Sequence, residues 1–290
     1  KTMSYQIIAD SGSTKTDWVL LQNDLIVVEL TTQGLNPYSN SFDDVVLVIQ
    51  QDVYPLIKNE IKDAEIQNIY FYGSGCGNLD MQTLISDALK MVIPCSNIEV
   101  YHDMLGSARA LCGREEGIAC ILGTGSNSCL YNGTEIIDSK PAPGYVIGDN
   151  GGGAHIGKQL LMDFINDEMP NGLKKVMETE LSITIENIYE NVYKRKFPNR
   201  YLASFMVFIK QELNGVYSEY LNQLVENSFQ TYFEKHILKY TSTSTKEIHS
   251  VGSVGFYFKE NLQNVATKNG YTLGKVIKSP MVGLVEYHRI

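Results

Sequence analysis

Glycine, serine and threonine crowd two short segments that occupy comparable places in the two halves of the chain. The first is residues 10–16 (Asp-Ser-Gly-Ser-Thr-Lys-Thr) and the second is residues 123–127 (Gly-Thr-Gly-Ser-Asn). Each segment follows one apolar run and precedes another, which is typical of the tip of a β-hairpin. Backbone N–H groups and hydroxyls gathered at such a tip suit the oxygens of a phosphate. One tip alone would fit an ordinary polar turn equally well, but the pair predicts phosphate binding.

The first tip also carries a carboxylate, Asp10, at the end of its strand. A carboxylate there is placed to hold Mg²⁺ directly or through water, and Gly12 allows the backbone to approach a ligand closely. The chain lacks the Gly-x-x-x-x-Gly-Lys-Ser/Thr pattern of a P-loop. It also lacks a Gly-x-Gly-x-x-Gly placed between a strand and a helix, so a Rossmann dinucleotide site is not expected.

Three further segments place polar groups beside predicted strands or helices. Asp103 follows a strand at 98–101 and precedes a helix, where it could be a general base toward a substrate hydroxyl or a helix cap. Asp149 lies in the glycine-dense loop 144–153 before another helix, either as a recognition residue or as a cap in a flexible loop. Residues 252–255 (Gly-Ser-Val-Gly) would let an adenine or ribose approach the backbone, or would form only a tight strand-to-helix turn.

These segments must be positioned by the elements that the apolar periodicity predicts. Ser41 is typical of a helix N-cap, and that helix could run to about Lys62 with a kink at Pro55. The other elements predicted in the first half are strands at 5–9, 18–21, 25–30, 68–72 and 98–101 and helices at 79–91 and 104–111.

The pattern of the first half begins again at Gly117. Asn132-Gly133 is a strong signal for the turn of a hairpin. In residues 155–240 the apolar residues recur mostly at the spacing of a helix. Strands are predicted at 118–122, 128–131, 134–138 and 247–251, with a final helix to Lys268. Two copies of a β-β-β-α unit predict an α/β protein of two lobes with a cleft between them.

The composition narrows the classes of function. Of 290 residues, 43% are hydrophobic and 20% are charged, a balance typical of a folded chain and not of a disordered one. A net charge of −9 argues against a general nucleic-acid binder, which usually has a basic face, but it allows binding of one small polyphosphate. No apolar run approaches the ~20 residues that span a bilayer, and the five cysteines include no Cys-x-x-Cys pair. We therefore expect a cytoplasmic protein with reduced thiols that contacts neither nucleic acid nor membrane.

Five segments resemble, in their order along the chain, the motifs of one ATP-binding family. They are residues 10–16, Asp103, 122–126, 148–149 and 252–254. It is the BadF/BadG/BcrA/BcrD-type ATPase family, and within it the branch of the N-acetylglucosamine kinases, in the superfamily of actin, hexokinase and Hsp70. The resemblance implies a two-lobed actin-like ATPase fold (ribonuclease H-like) made of duplicated βββαβα units.

The same resemblance divides the chain into two lobes. The implied lobes are residues 1–117 and 118–290, the second with a helical insertion. A C-terminal helix at about 281–290 could pack back on the first lobe, and a homodimer is the partner expected in this branch.

The activity that the resemblance implies is transfer of the γ-phosphate of ATP, with Mg²⁺, to the 6-hydroxyl of an amino sugar, and N-acetylglucosamine is the substrate expected first. Asp103 is then the catalytic base, and Asp10 holds the metal directly or through water. The residues implied to contact ATP and its phosphates are Asp10, Gly12, Ser13, Thr14, Lys15, Thr16, Gly123, Thr124, Gly125, Ser126, Gly252 and Ser253. The residues implied to contact the sugar are Asn36, Ser74, Gly75, Asp103, Gly144 and Asp149.

Two departures from the family pattern leave alternatives open. The family's Gly-Asp-Glu-Gly-Ser-Gly loop is here residues 148–153 (Gly-Asp-Asn-Gly-Gly-Gly), so Asn150 replaces a negative charge, and Ser11 stands where many relatives have glycine. A sugar or nucleotide sensor that binds without turnover is one alternative. The other is an ATPase activator of a 2-hydroxyacyl-CoA dehydratase or benzoyl-CoA reductase, although those proteins hold an iron–sulfur cluster with paired cysteines and no convincing pair is present here.

Overall fold

Two five-stranded mixed sheets with the same strand order form the framework of the chain. The structure is a computed structural model that describes residues 4–12, 14–62 and 64–289. Its contacts divide these residues into two units. Unit 1 contains the described residues up to Arg114, together with Gly133–Glu135 and residues 280–289, and unit 2 contains Glu115–Asn132 and Ile136–Ser279. Each unit has a sheet and a hydrophobic core of its own.

Strands and helices alternate along most of the chain. The strands are β1 (Tyr5–Ser11), β2 (Lys15–Gln22), β3 (Leu25–Gln33), β4 (Ile66–Gly73), β5 (Cys95–His102), β6 (Glu116–Leu122), β7 (Ser126–Asn132), β8 (Ile136–Ser139), β9 (Glu247–Val251) and β10 (Thr272–Ile277). The helices are α1 (Phe42–Val48), α2 (Tyr54–Ile61), α3 (Leu79–Val92), α4 (Asp103–Cys112), α5 (Gly153–Ile165), α6 (Leu173–Glu180), α7 (Ile185–Tyr193), α8 (Pro198–Glu212), α9 (Ser218–Lys235), α10 (Ser253–Tyr257), α11 (Lys259–Lys268) and α12 (Met281–His288).

The sheet of unit 1 has the order β3-β2-β1-β4-β5. Its first three strands form an antiparallel meander, and β1, β4 and β5 run parallel. Asn23 and Asp24 turn the chain between β2 and β3 with φ values of +47° and +67°, the conformation that suits a tight hairpin. The single tryptophan, Trp18, is 1% exposed in the core of this unit and donates its indole N–H to Thr32 Oγ1 at 3.0 Å.

The sequence predicts one helix from Ser41 to about Lys62, and the structure divides it into three segments: α1, a π-helical turn and α2. Ser41 accepts the Asp44 N–H while Asp44 accepts the Ser41 N–H, a reciprocal capping box that confirms the predicted start. A π-helical turn at Ile49–Val53 separates α1 from α2. Pro55 lies in the first turn of α2, where its missing N–H and its ring break the regular hydrogen-bond pattern. The predicted kink therefore takes the form of this π-helical turn.

The sheet of unit 2 has the order β10-β9-β6-β7-β8, which repeats the order of unit 1 with β6 in the place of β1. The turn after Asn132 has Gly133 at φ +93°, as the Asn-Gly pair predicts. Helices α5 to α9 lie between β8 and β9 and bury apolar faces that include Phe164, Phe229 and Phe233. The duplication predicted from the sequence is confirmed.

The sequence analysis does not predict strand β10, because the pairing of this strand with β9 is irregular. The pairing of β10 with β9 is interrupted between Leu273 and Val276, where Gly274 and Lys275 stand. The Lys275 N–H is bonded to the ring of His249 at 3.0 Å instead of to the β9 backbone. This irregularity removes the alternation of polar and apolar residues by which a strand is recognised. Among the described residues, no helix combines the length and apolar character needed to cross a bilayer.

Candidate functional site

The carboxyl ends of β1, β4 and β5 bring the candidate residues of unit 1 to one edge of its sheet. Ser11, Gly73 and His102 lie side by side in the register of these three parallel strands. The next residues along each strand, Gly12, Ser74 and Asp103, therefore leave the sheet together. Ligands of open α/β sheets bind at this edge, beyond the carboxyl ends of parallel strands.

Asp103 is the first residue of α4 and not its cap. The N-cap is His102, whose Nδ1 accepts the Met104 N–H at 3.2 Å, which corrects the alternative that Asp103 caps the helix. Oδ1 of Asp103 is buried and makes no hydrogen bond, although Nδ1 of His102 lies 3.1 Å away. Burial raises the pKa of Asp103, an effect that the positive charge of a protonated His102 opposes. Backbone N–H groups of Met104 and Asp103 also oppose the shift, but Oδ1 has no partner among the described residues and is available to a ligand.

Asp10 is the second desolvated carboxylate of this edge. Burial, with the charges of Asp103 and Asp17, raises its pKa to about 7, although Lys15 opposes the shift. Among the described residues, no three His, Cys, Asp or Glu side chains are grouped to hold a metal ion. Mg²⁺ is commonly held by one or two carboxylates with substrate phosphates and water completing its shell. Asp10 fits that arrangement, because a cation would offset the crowding of negative charge around it.

The first tip is closed by its own hydrogen bonds. The Gly12 N–H donates to the Lys15 carbonyl at 2.9 Å, and the exposed Thr14 accepts the Gly34 N–H at its carbonyl. Lys15 directs its ammonium to Asp17, with Nζ 2.5 Å from Oδ2. Ser13 lies outside the described residues. Of the predicted phosphate contacts described in this tip, Thr14 and Lys15 are exposed, and Lys15 is paired with Asp17.

Thr16 does not present its hydroxyl to a phosphate, which corrects the sequence prediction. It is fully buried, it bonds Ser11 Oγ at 2.8 Å, and it donates to the Gln33 carbonyl at 3.0 Å. Ser11 Oγ in turn accepts the Leu35 N–H at 3.0 Å. Thr16 and Ser11 therefore connect the first tip to the chain that leaves β3, where Asn36 follows.

Asn36, Ser74 and Gly75, predicted to contact the sugar, are brought together in unit 1. Asn36 Nδ2 donates to Ser74 Oγ at 3.4 Å, and Asn36 Oδ1 accepts the Tyr38 N–H at 2.9 Å. Gly75 has φ +85°, and a Cβ at this position would lie 2.4 Å from Asn36 Oδ1. Glycine is thus required there by its backbone conformation and by the space that the Asn36 amide occupies.

The second tip, in unit 2, is packed against the glycine-rich loop that carries Asp149. The Ser126 N–H donates to Asp149 Oδ1 at 3.2 Å, and a Cβ on Gly125 would lie 2.7 Å from Asp149 Oδ2. Ser126 is 6% exposed. Its N–H serves to hold Asp149, while its Oγ has no hydrogen-bond partner and the phosphate contact stays a prediction. Burial raises the pKa of Asp149, while the Ser126 N–H and Lys158 oppose the shift.

The second tip is also joined to the start of α5. The Gly153 N–H donates to the Gly123 carbonyl and the Ala154 N–H donates to the Thr124 carbonyl, both at 2.8 Å. These two bonds occupy helix N-terminal donors that would otherwise lack partners. Thr124 is half-buried, so the tip offers its side chain from a backbone that the helix holds in place.

Two residues that sequence reasoning missed hold the loop of Asp149. Ser228 Oγ, on the buried side of α9, accepts the Gly151 N–H at 3.1 Å and lies 2.7 Å from His155 Nδ1. Burial, aided by Lys158, lowers the pKa of His155 to about 4, so the ring is neutral at neutral pH and can accept the serine proton. No local pattern marks Ser228, which is 77 residues from Gly151 in sequence. Gly144, the remaining predicted sugar contact in unit 2, has φ +85° and open space around it.

Gly252 lies between β9 and α10, and Ser253, the first residue of α10, lines a mainly apolar cavity of about 370 Å³. Gly252 has φ +120°, and a Cβ there would lie 2.4 Å from the Leu122 carbonyl oxygen. The cavity is lined in part by Ser253, Met206, Val207, Tyr257 and Phe258. Apolar side chains with a few polar groups at the rim are typical of a pocket for a flat ring such as adenine.

Comparison with known proteins places this arrangement among sugar kinases. A scan of protein-family models found no match, and no curated protein matched the chain. A solved structure named as a "Putative N-acetylglucosamine Kinase" from Porphyromonas gingivalis is 41% identical, with a TM-score of 0.91 and 98% of each chain covered. A second structure with the same name, from Chromobacterium violaceum, is 12% identical, with a TM-score of 0.74 and 99% of each chain covered. A ROK family transcriptional regulator, described as a homolog of E. coli MLC protein, shares the fold at 12% identity and a TM-score of 0.53, with 98% of this chain and 77% of that chain covered.

Proposed function

The chain belongs to the N-acetylglucosamine kinase-like family of sugar kinases in the actin-like ATPase superfamily, and we propose that it phosphorylates the 6-hydroxyl of N-acetylglucosamine with ATP. The observation that carries the proposal is the group at the carboxyl edge of the unit 1 sheet. There, the Asp103 carboxylate has a buried oxygen without a hydrogen-bond partner and leaves the sheet in register with Ser74, which contacts the Asn36 amide. A base, an amide and a hydroxyl are the groups needed to bind a sugar and to deprotonate its hydroxyl.

In the proposed reaction, Asp103 takes the proton of the sugar hydroxyl as that oxygen attacks the γ-phosphorus of ATP. Its raised pKa suits this role, because a base works best when its pKa approaches the operating pH. Asn36 and Ser74 are proposed to orient the sugar. The other proposed sugar contacts are Asp149 and Gly144. The position of Asp149 depends on the Ser126 N–H and on the absence of a side chain at Gly125.

For ATP, we propose phosphate contacts from Gly12 and Thr14 in the first tip and from Gly123 and Thr124 in the second. Asp10 would hold Mg²⁺, directly or through water, and the ion supplies charge neutralisation for the transferred phosphoryl group when it is bound. The adenine is assigned to the apolar cavity beside Ser253, in unit 2. Gly252 permits the close backbone approach that this corner of unit 2 needs.

The cellular location proposed for this reaction is the cytoplasm. Cys76 and Cys95 are free thiols, and Cys76 is buried. Unpaired cysteines are usual in reducing compartments.

Phosphorylation of a panel of hexosamines with Mg²⁺-ATP tests the proposal directly. We expect the highest kcat/KM with N-acetylglucosamine and a product phosphorylated on the 6-hydroxyl. Asp103→Asn should lower kcat by about 10²- to 10⁴-fold, the range for loss of a general base, with nucleotide binding retained. Asp80→Asn is the matched control, because Asp80 is an exposed carboxylate in the first turn of α3 and should leave kcat unchanged.

The sensor alternative is favoured by one observation, the replacement of a family glutamate by Asn150 in the loop that carries Asp149. It predicts that N-acetylglucosamine binds in calorimetry and that no phosphorylated product forms at any ATP concentration. Turnover of any hexosamine by the wild-type protein, lost in Asp103→Asn, would exclude the sensor.

A further inference from the structure

Helix α9 reaches both the loop that carries Asp149 and the second tip through two buried side chains. Ser228 and Tyr232 are four residues apart, so they lie on the same side of the helix, and they are 2% and 0% exposed. Ser228 Oγ accepts the Gly151 N–H at 3.1 Å, a bond to the loop. The Tyr232 hydroxyl donates to the Asn127 carbonyl at 2.9 Å, a bond to the end of the tip. One side of α9 is thus bonded to two segments that carry proposed ligand contacts.

The backbone of the loop is packed closely against α9 and against the second tip. Gly151 has φ +81°, and a Cβ there would lie 2.9 Å from Tyr232 Cβ. A Cβ on the next residue, Gly152, would lie 2.6 Å from the carbonyl carbon of Gly125 in the tip. These contacts leave no room for a methyl group, so a shift of α9 toward the loop would be transmitted to it.

A second partner of the Ser228 hydroxyl fixes its orientation. His155 Nδ1, on α5, lies 2.7 Å from Ser228 Oγ. Burial, aided by Lys158, lowers the pKa of His155 to about 4, so the ring is neutral at neutral pH and can accept the Ser228 proton. A hydroxyl that donates to His155 keeps its lone pairs for the Gly151 N–H. Both the donor and the acceptor capacity of Ser228 are therefore used where the loop meets α9.

Three side-chain pairs fix the position of α9 along its own axis. The side-chain amides of three asparagines donate to three α9 residues spaced four positions apart. In order, Asn261, Asn264 and Asn269 bond Asn222, Glu226 and Gln230 at 2.7, 2.9 and 2.9 Å. Apolar packing is non-directional and would tolerate a small slide of the helix, whereas hydrogen bonds depend on direction. These pairs therefore hold α9 in the register that brings Ser228 and Tyr232 to the loop and the tip.

We propose that Ser228 and Tyr232 are positioning residues of the kinase. Ser228 holds the loop so that Asp149 contacts the sugar, and Tyr232 holds the second tip so that Thr124 contacts the phosphates. The inference rests on the proposed function and adds to it a helix that carries none of the proposed ligand contacts. Loss of either bond lowers the fraction of molecules in which the attached segment is placed for binding, and the affinity falls by the same factor.

Removal of each hydroxyl should therefore affect a different substrate. Ser228→Ala should raise the KM for the sugar about tenfold, with the KM for ATP nearly unchanged. Tyr232→Phe keeps the ring that packs on Gly151, and it should raise the KM for ATP about tenfold with the KM for the sugar nearly unchanged. A general loss of stability would lower the amount of active enzyme, and hence the apparent kcat, without separating the two KM values.

Two other hydroxyls of α9 provide matched controls. Thr231→Ala removes a hydroxyl that donates to the Asn227 carbonyl within the helix. Tyr220→Phe removes a hydroxyl that donates to Asp163 of α5. Both variants should keep the wild-type KM values for sugar and ATP, because neither hydroxyl contacts the loop or the tip.

Hydrogen exchange of the ligand-free variants shows whether the backbone has been released. Exchange should be faster in residues 149–153 of Ser228→Ala than of Thr231→Ala, and in residues 123–127 of Tyr232→Phe than of Tyr220→Phe. Unchanged exchange in these segments would overturn the inference, because the hydroxyls would not be holding them.

The kinetic outcomes decide the rest. A sugar KM of Ser228→Ala equal to that of Thr231→Ala, or an ATP KM of Tyr232→Phe equal to that of Tyr220→Phe, would overturn the inference. Equal rises of both KM values in each variant would also overturn it. If the wild-type protein phosphorylates no sugar, the proposed function fails, and the inference fails with it. Wild-type turnover with unaffected KM values in Ser228→Ala and Tyr232→Phe removes the inference alone.

Discussion

Replacing Gly75 by alanine should impair sugar binding through Asn36 more than it impairs folding. Gly75 has φ +85°, and an added Cβ would lie 2.4 Å from Asn36 Oδ1 and 3.0 Å from its Cγ. Gly113 provides a matched control in the same unit, because it has φ +62° and a Cβ there meets nothing within 4 Å. The two substitutions share the strain of a left-handed backbone and differ in the collision.

The size of each effect can be worked from these contacts. Alanine at a positive φ is unfavourable by at least about 1–2 kcal/mol at either position. At Gly75 the Asn36 amide must also rotate and give up its 2.9 Å bond from the Tyr38 N–H, which adds about 1 kcal/mol. The amide displaced from the sugar site loses about 1–3 kcal/mol of binding, which corresponds to a rise in sugar KM of about 5- to 150-fold.

The stability of unit 1 can be measured separately, because Trp18 is the single tryptophan of the chain and is buried in that unit. Denaturant unfolding followed by tryptophan fluorescence should give a lower free energy of unfolding for Gly75→Ala than for Gly113→Ala. Steady-state kinetics should show a raised KM for the sugar in Gly75→Ala alone, with the KM for ATP unchanged. An equal sugar KM in the two variants would refute the assignment of Asn36 to the sugar.

The other predictions concern the second tip and the charge of Asp10. Gly125→Ala should displace the Asp149 carboxylate, which lies 2.7 Å from the added Cβ, and should raise the sugar KM about tenfold. Gly123→Ala is the control, because a Cβ there meets nothing within 4 Å and should leave the sugar KM unchanged. Equal sugar KM values for the two variants in hexosamine kinetics would contradict this prediction. Because burial and neighbouring carboxylates raise the folded-state pKa of Asp10 from 3.8 to about 7, stability should fall as the pH rises from about 4 to about 7 in the ligand-free protein. Asp10→Asn should weaken this dependence and raise the free energy of unfolding at pH 8, measured by Trp18 fluorescence, and a wild-type pH profile in the variant would show that Asp10 is not its source.

Much of the framework could be predicted because local signals and the fold agree. The Asn132-Gly133 turn and the capping residue Ser41 use residue types whose physical effect acts within a few positions. The helix predicted at 104–111 corresponds to α4, which begins one residue earlier, at Asp103. The actin-like ATPase fold expected from the order of the motifs is confirmed by the 41% identical structure.

The errors arose where tertiary contacts decide between neighbouring residues. His102 and Asp103 are both polar residues at a helix start, and only the backbone conformation makes His102 the cap. Thr16 was misassigned although its place could have been read from β2, where Thr16 and Trp18 alternate onto the same buried face. Ser228 could not have been found, since the bond that ties it to the Asp149 loop spans 77 residues.

The return of α12 to unit 1 has a consequence for biosynthesis. Gly283 of α12 packs so closely on α4 that a Cβ there would lie 2.3 Å from the Ala110 carbonyl oxygen. A ribosome releases the residues of unit 2, up to Ser279, before it releases α12. The helix that begins with Asp103 therefore gains this packing partner only after all of unit 2 has been synthesised, when unit 2 has already had time to fold. Ribosome-stalled chains that end before α12 should consequently be protected from proteolysis in unit 2 earlier than in unit 1.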